Sequence, residues 1–210
     1  ENGIKYIKQD GSVGYYQTVN KTTPVAGDVK YVDRNGDGVV DDNDRDIIGN
    51  PNPDFTYGFQ TKVSWKSLSL SASFNGVQGR DILNVGNRYN NTPGTKSNNV
   101  TRKAFQNMWT DENPSNLYPK STFVVQNMVM DRYVEDGSYL RCSDITLSYV
   151  LPAKWTNKIG IKNTSVYASV KNAFVITDYS GYDPEVNSFA FDGLRPGVDM
   201  NSYPTPRSFV

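Results

Sequence analysis

No histidine occurs among the 210 residues, which removes the commonest general base and the commonest transition-metal ligand. The single cysteine, Cys142, cannot form a disulfide within the chain, and it argues against zinc or iron–sulfur sites. Neither sign of charge is in excess: lysine plus arginine and aspartate plus glutamate are 22 each. The basic residues are also spread out, so nothing recruits nucleic acid through its phosphates. No run of about 18 apolar residues is present, which excludes a transmembrane helix. The first residues, Glu1-Asn2-Gly3, do not have a signal-peptide pattern. A membrane protein made of strands stays open, because barrel strands are short, alternate in polarity and keep hydropathy low.

Aromatics are abundant, with 14 tyrosines, and Gly, Asn, Ser and Thr are frequent. This mix favours strands and long polar loops. The clearest strand covers 55–65. Phe55, Tyr57, Phe59, Thr61, Val63 and Trp65 fall on one face, and Thr56, Gly58, Gln60, Lys62 and Ser64 on the other. Period two over this length matches the roughly 9–11 residues that a tilted strand needs to cross a bilayer. A tight turn at Lys66-Ser67 leads to a second strand, with Leu68, Leu70, Ala72 and Phe74 facing one way and Ser69, Ser71 and Ser73 the other. A third strand is expected over 139–151, ended by Pro152, and a fourth over 164–176. Arg207-Ser208-Phe209-Val210 begins a last one. Between the second and third strands, 76–137 reads as one long loop with a short helix near 100–109. A hairpin is expected around Gln9–Ser12. Alternation alone fits a soluble sandwich as well as a barrel. The succession of short and long connections is the rhythm of outer-membrane barrels, with short periplasmic turns and long extracellular loops.

The strongest local motif spans Asp33 to Asp44. Asp33, Asn35, Asp37, Asp41 and Asp44 stand at positions 1, 3, 5, 9 and 12 of a twelve-residue calcium loop, with Gly38 at position 6. Ca2+ is coordinated by six to eight oxygens, and alternate residues of a tight loop aim theirs inward. The Val39 carbonyl completes the expected set, and Val40 anchors the loop on apolar neighbours. Asp replaces Glu at position 12, and the entering segment looks like a strand, so opening of a helix pair by calcium is not expected. An acidic, solvated turn without an ion is the other reading. Gly76-Val77-Gln78-Gly79-Arg80-Asp81 lacks the lysine of a phosphate loop and reads as a turn at a strand end. Asp183 and Glu185, or Asp111 and Glu112, are carboxylate pairs in loop surroundings, and no catalytic residue is assigned. Tyr89, Trp109, Tyr118, Tyr179 and Tyr182 either stack on sugar rings or pack their own loops.

A series of motifs then carries a family likeness. It begins with Asp33–Gly38, Asp41 and Asp44, then Ile48-Gly49-Asn50-Pro51-Asn52-Pro53 and Tyr57-Gly58-Phe59. It continues through Phe74–Gly79, Asp81–Asn84, Trp109–Pro114, Glu135–Arg141, Ile145–Tyr149, Tyr179–Glu185 and Tyr203–Phe209. In this order over 28–210 they resemble the C-terminal third of SusC/RagA-type TonB-linked outer-membrane proteins of Bacteroidetes. Cys142 departs from the aliphatic or polar residue more usual after the arginine. The resemblance implies an all-β fold, the C-terminal antiparallel strands of a transmembrane barrel of about 22 strands. It implies a plug domain and a signal peptide that are absent from residues 1–210, energy delivered through TonB, a SusD-like surface lipoprotein as lid, and import of glycans or peptides across the outer membrane. Two other readings of the residues remain: a secreted, calcium-stabilised β domain that binds carbohydrate, and a surface adhesion module.

Overall fold

In a computed structural model, residues 5–7, 13–15, 25–92, 99–121, 129–161, 164–189 and 192–210 are described. They divide into two compact units, residues 1–48 with 86–130 and residues 49–85 with 131–210.

In the first unit, β1 (Lys5–Ile7) pairs antiparallel with β2 (Val13–Tyr15). The expected turn at Gln9–Ser12 lies outside the described residues. A short helix, α2 (Arg102–Asn107), is capped by the Thr101 hydroxyl, which accepts from the Ala104 amide at 3.2 Å. Its preceding helix, α1 (Val85–Asn91), was not foreseen.

The second unit is built on five antiparallel strands in the order β10-β8-β7-β4-β3. These are β3 (Phe55–Trp65), β4 (Leu68–Gln78), β7 (Tyr139–Val150), β8 (Ser165–Thr177) and β10 (Ser208–Phe209). β4 thus continues through 76–78, beyond the alternating run and into the expected loop. The long connection also holds β5 (Asp81–Asn84) and β6 (Val134–Asp136), which pair with each other and, through β5, with β9 (Val198–Asp199). On one side the strands are joined by Lys66-Ser67 and by 151–164, which contains the short helix α3 (Ala153–Thr156). The long connections, 79–138 and 178–207, both leave from the opposite side.

The registers join the apolar positions into rows across the sheet. Trp65, Leu68, Tyr149 and Val166 form one row, and Val63, Leu70, Leu147 and Ala168 the next. Thr61, Ala72, Ile145, Val170 and Phe209 follow, then Phe59, Phe74, Cys142 and Phe174. The Phe59 and Phe74 rings stack at 4.5 Å, and Phe174 lies 6.3 Å from Phe74. Cys142 is fully buried in this row, where a small side chain fits between two aromatic neighbours. The opposite face carries Ser64, Ser69 and Ser148, then Lys62, Ser71, Thr146 and Ser169. In β7 the apolar parity changes from even to odd at Ser143, where both ladders shift register; this is a β-bulge.

Among the described residues of this unit nothing covers the apolar face. Phe59 is 51% exposed, Val63 64% and Trp65 68%, and Leu70, Leu147 and Val166 are exposed as well. β3 is exposed along its whole length on both faces. The buried groups cluster where the long connections leave: Ile82, Tyr133, Tyr139, Arg141, Tyr179 and Asp183. At that side Gly79 turns the chain out of β4 with φ +72, and a Cβ there would sit 2.0 Å from Asp54 Oδ2. Glycine is therefore needed for both the dihedral and the space.

Candidate functional site

The acidic loop lies in the first unit. The carboxylates of Asp33, Asp37, Asp41 and Asp44 turn back on the backbone, while Asp42 pairs with Arg45. Asp33 accepts from the Gly36 and Gly38 amides at 2.7 and 2.8 Å, and Asp37 from the Val39 amide at 2.8 Å. Asn35 accepts from the Asp37 amide at 2.9 Å, and Asp41 from the Asn43 amide at 2.8 Å. Asp44 accepts from the Arg34 and Asp41 amides at 2.8 Å each. Residues 42–44 form one 3-10 turn, closed by the reciprocal contacts of Asp41 and Asp44. What burial Asp44 has works to raise its pKa. The amides of Asp41, Arg34 and Asn35 outweigh it and hold the carboxyl below its usual range. Val40 is buried, as its anchoring role requires. Among the described residues no three His, Cys, Asp or Glu side chains gather into a group that could hold a metal ion.

A second cluster occupies the base of the long connections in the other unit. Arg141, 5% exposed, forms an ion pair with Asp183, 3% exposed. Its Nε lies 2.9 Å from Glu185 Oε2. Glu185 Oε1 accepts from the Tyr139 hydroxyl at 2.6 Å and the Asn75 amide at 3.0 Å. Asp183 also accepts from the backbone amides of Glu185 and Thr205, both at 3.0 Å. Burial on its own would raise the Asp183 pKa. The two backbone amides, the Thr205 side chain and the Arg141 guanidinium together keep it below the usual carboxylate range. Beside this pair, Tyr179 donates to Asp199 Oδ2 at 2.7 Å, and the Ser202 amide donates to Asp199 Oδ1 at 3.1 Å. Glu135 accepts from the Ser180 amide and hydroxyl, both at 2.9 Å, and from Asn84 at 3.0 Å. Burial, and then the bond to the Asp199 carboxylate, push the Tyr179 phenol well above its ordinary pKa. The groups of this cluster are paired with one another, and Arg141, Asp183, Tyr179 and Asp199 among them are buried. They hold loops in place and offer no group for proton transfer.

The aromatic candidates are divided between the two units. Tyr89, Trp109 and Tyr118 belong to the first unit. There the Trp109 amide donates to the Tyr118 carbonyl at 3.0 Å, and the indole packs against Gly27. Tyr179 is buried in the loop base, so it packs its own loop, whereas Tyr182 is 74% exposed. Reading the sequence alone missed Arg141, Tyr139, Asn75, Glu135 and Asp199. A signal was present: Arg141 is a charged residue inside a strand, and Asp183-Pro184-Glu185 supplies two carboxylates in a segment otherwise set with turn residues.

No protein-family model matches the chain. TonB-dependent receptor P26 of Formosa agariphila is 34% identical over 194 residues, covering 89% of this chain and 19% of that receptor. TonB-dependent receptor SusC of Bacteroides thetaiotaomicron is 34% identical over 187 residues, 86% of this chain and 17% of the receptor. Among solved structures, the RagAB peptide importer in its closed-closed state superposes with a TM-score of 0.68 at 27% identity, covering 85% of this chain and 19% of that one. Its open-open state gives 0.64 at 26% identity over 93% of this chain and 19% of that one. The chain spans about a fifth of the length of these relatives. With its ordered motifs, antiparallel sheet and these likenesses, the chain belongs to the SusC/RagA-type TonB-dependent receptors, and its long strands are barrel strands of that family.

Proposed function

We propose that the chain supplies C-terminal wall strands and external loops of an outer-membrane importer of glycans or peptides. The importer draws energy from TonB through parts of the receptor outside residues 1–210 and works with a SusD-like surface lipoprotein. The observation that carries this is the uncovered apolar face, continuous over β3, β4, β7 and β8, with serine, threonine and lysine behind it. Apolar surface gains roughly 25 cal/mol per Å² on leaving water, so a sheet of this kind demands a cover. β3 and β4 are 11 residues each, the span of a tilted strand across a bilayer. Lipid is the cover that suits a face with no second sheet against it. The peptide importer among the structural neighbours supports peptides as cargo, and the relative named TonB-dependent receptor SusC supports TonB-dependent import.

Spin labels placed singly at Phe59 and Gln60 of the full-length receptor in lipid bilayers test this orientation. Relaxation by a lipid-soluble agent is expected at Phe59, and at Gln60 only by a water-soluble one. An equal response at the two positions would refute it.

The same reading gives the acidic loop one structural Ca2+, held by Asp33, Asn35, Asp37, the Val39 carbonyl, Asp41 and Asp44. Its donors are hard oxygens at the spacing calcium loops use, which is the fit that supports the ion. When bound, the ion would stiffen the loop and take no part in chemistry. Titration calorimetry of the full-length receptor is expected to show calcium binding that Asp33→Ala and Asp37→Ala abolish. No heat at millimolar calcium would leave a solvated turn held by its backbone amides.

A further inference from the structure

The polar face of the sheet is covered at the side where the long connections leave. By alternation along β7, Tyr139 and Arg141 project opposite to Leu140 and Cys142. Their neighbours on the polar face are Val77 and Asn75 of β4 and Thr177 and Val175 of β8. The connection 178–206 lies on these residues through Asp183 and Glu185.

We propose that segment 178–206 is a fixed strap over the interior wall of the receptor, pinned by Arg141, and not a lid that swings during import. That this wall is the interior one rests on the function proposed above; the fixity of the segment does not. Anchors occur along the whole described segment. Near its start, Ser180 is bound to Glu135 of β6, and the bond from Tyr179 to Asp199 holds the segment to itself. In the middle, β9 adds to β5 as a parallel neighbour, and the Leu83 amide donates to the Gly197 carbonyl at 2.8 Å. At the end, the Pro206 carbonyl accepts from Asn172 at 2.9 Å. One carboxylate joins the two ends: Asp183 meets Arg141 on the wall and the Thr205 amide at the far end of the strap. Lifting the strap would break its contacts with Glu135, β5 and Asn172 together and strand Arg141 without its two carboxylates. Elements that move in function are drawn from the weakly held parts of a fold, and this one is among the most strongly held here. Cargo therefore passes beside the strap, and the rearrangements of import belong to other elements.

Hydrogen exchange on the full-length receptor in detergent, alone and with its lipoprotein partner, tests the proposal. The amides of Leu83 and Ser180, which bond across between the strap and the elements beside it, and those of Glu185 and Thr205 are expected to exchange at least about 100-fold more slowly than an open chain in both states. In Arg141→Met the protection at Glu185 and Thr205 should fall by about tenfold or more, while the β7 amides of Ile145 and Leu147 stay protected. Near-unprotected exchange at Leu83 and Ser180 in the wild type, or protection there that disappears in one of the two states, would make the segment a lid. Should Arg141→Met fail to fold, the wild-type comparison decides alone, and Glu185→Gln gives a milder break at the same pin. The spin-label result at Phe59 and Gln60 is independent of these amides, so failure of the membrane reading and failure of the strap can be told apart.

Discussion

Replacing Arg141 by methionine in the full-length receptor is expected to destabilise the loop base by about 3–5 kcal/mol, the usual consequence of removing one partner from a buried ion pair. Methionine keeps the length and apolar stem of the side chain but leaves Asp183, 3% exposed, without its cation. Glu185 keeps the Tyr139 hydroxyl and the Asn75 amide, so most of the loss falls on Asp183. Limited proteolysis should then cut within 178–206 at protease levels that leave the wild type whole, and denaturant unfolding should begin earlier. Adding Asp183→Asn to Arg141→Met should recover part of the loss, because the stranded charge is gone. A double-mutant cycle of the two changes is expected to give a coupling within about 1–3 kcal/mol. Additivity of the two single effects would show that the pair does not act as a unit.

A comparably large effect is expected from Gly76→Val. Gly76 lies in β4 between β3 and β7, and the Tyr57 ring crosses it. A Cβ at this position would fall 2.3 Å from Tyr57 Cζ and 2.7 Å from the Tyr139 carbonyl oxygen. The ring could swing aside, but the carbonyl belongs to the ladder and cannot. Overpacking of this kind costs about 1–3 kcal/mol. Displacing Tyr57 also removes the bond from its hydroxyl to the Tyr139 carbonyl, 3.3 Å, worth about 1 kcal/mol. Thermal unfolding of the detergent-solubilised receptor should show the loss. Gly76→Val combined with Tyr57→Ala should be less damaging than Gly76→Val alone, since the added methyls then have room on one side. If both variants unfold together at the wild-type temperature, the packing of Tyr57 on Gly76 is refuted.

The strands that sequence reading located were those long enough to show a period. Phe55–Trp65 was placed to the residue, and the strands at 68, 139 and 165 were placed within a few residues at either end. In each, successive side chains meet different surroundings, and eleven or more positions make that difference visible. β5, β6 and β9 have four, three and two residues. A segment so short has no period, and its hydrogen bonds are decided by partners distant in the chain, as when Leu83 pairs with Val198. The bulge at Ser143 lay between. The switch from Leu140 and Cys142 to Ile145 and Leu147 is written in the residues, but its meaning depends on both neighbouring strands.

The same division holds for the two candidate sites. The acidic loop is a local object. Its turns are made by side chains reaching amides two, three or five residues away and by Asp44 closing the ring, so spacing alone announced it. The loop base is not local: Arg141 finds Asp183 across 42 residues, and Asn75 finds Glu185 across 110. By itself the sequence determined the family, the long strands and which of their faces is apolar, because alternation and ordered motifs are properties of neighbouring residues. Only the tertiary structure decided that Tyr179 is buried, that Asp183 and Glu185 are counter-ions for Arg141, and that 178–206 lies on the polar wall. Burial and ion pairing depend on distances through space, and those are set when separate segments pack, not by their order along the chain.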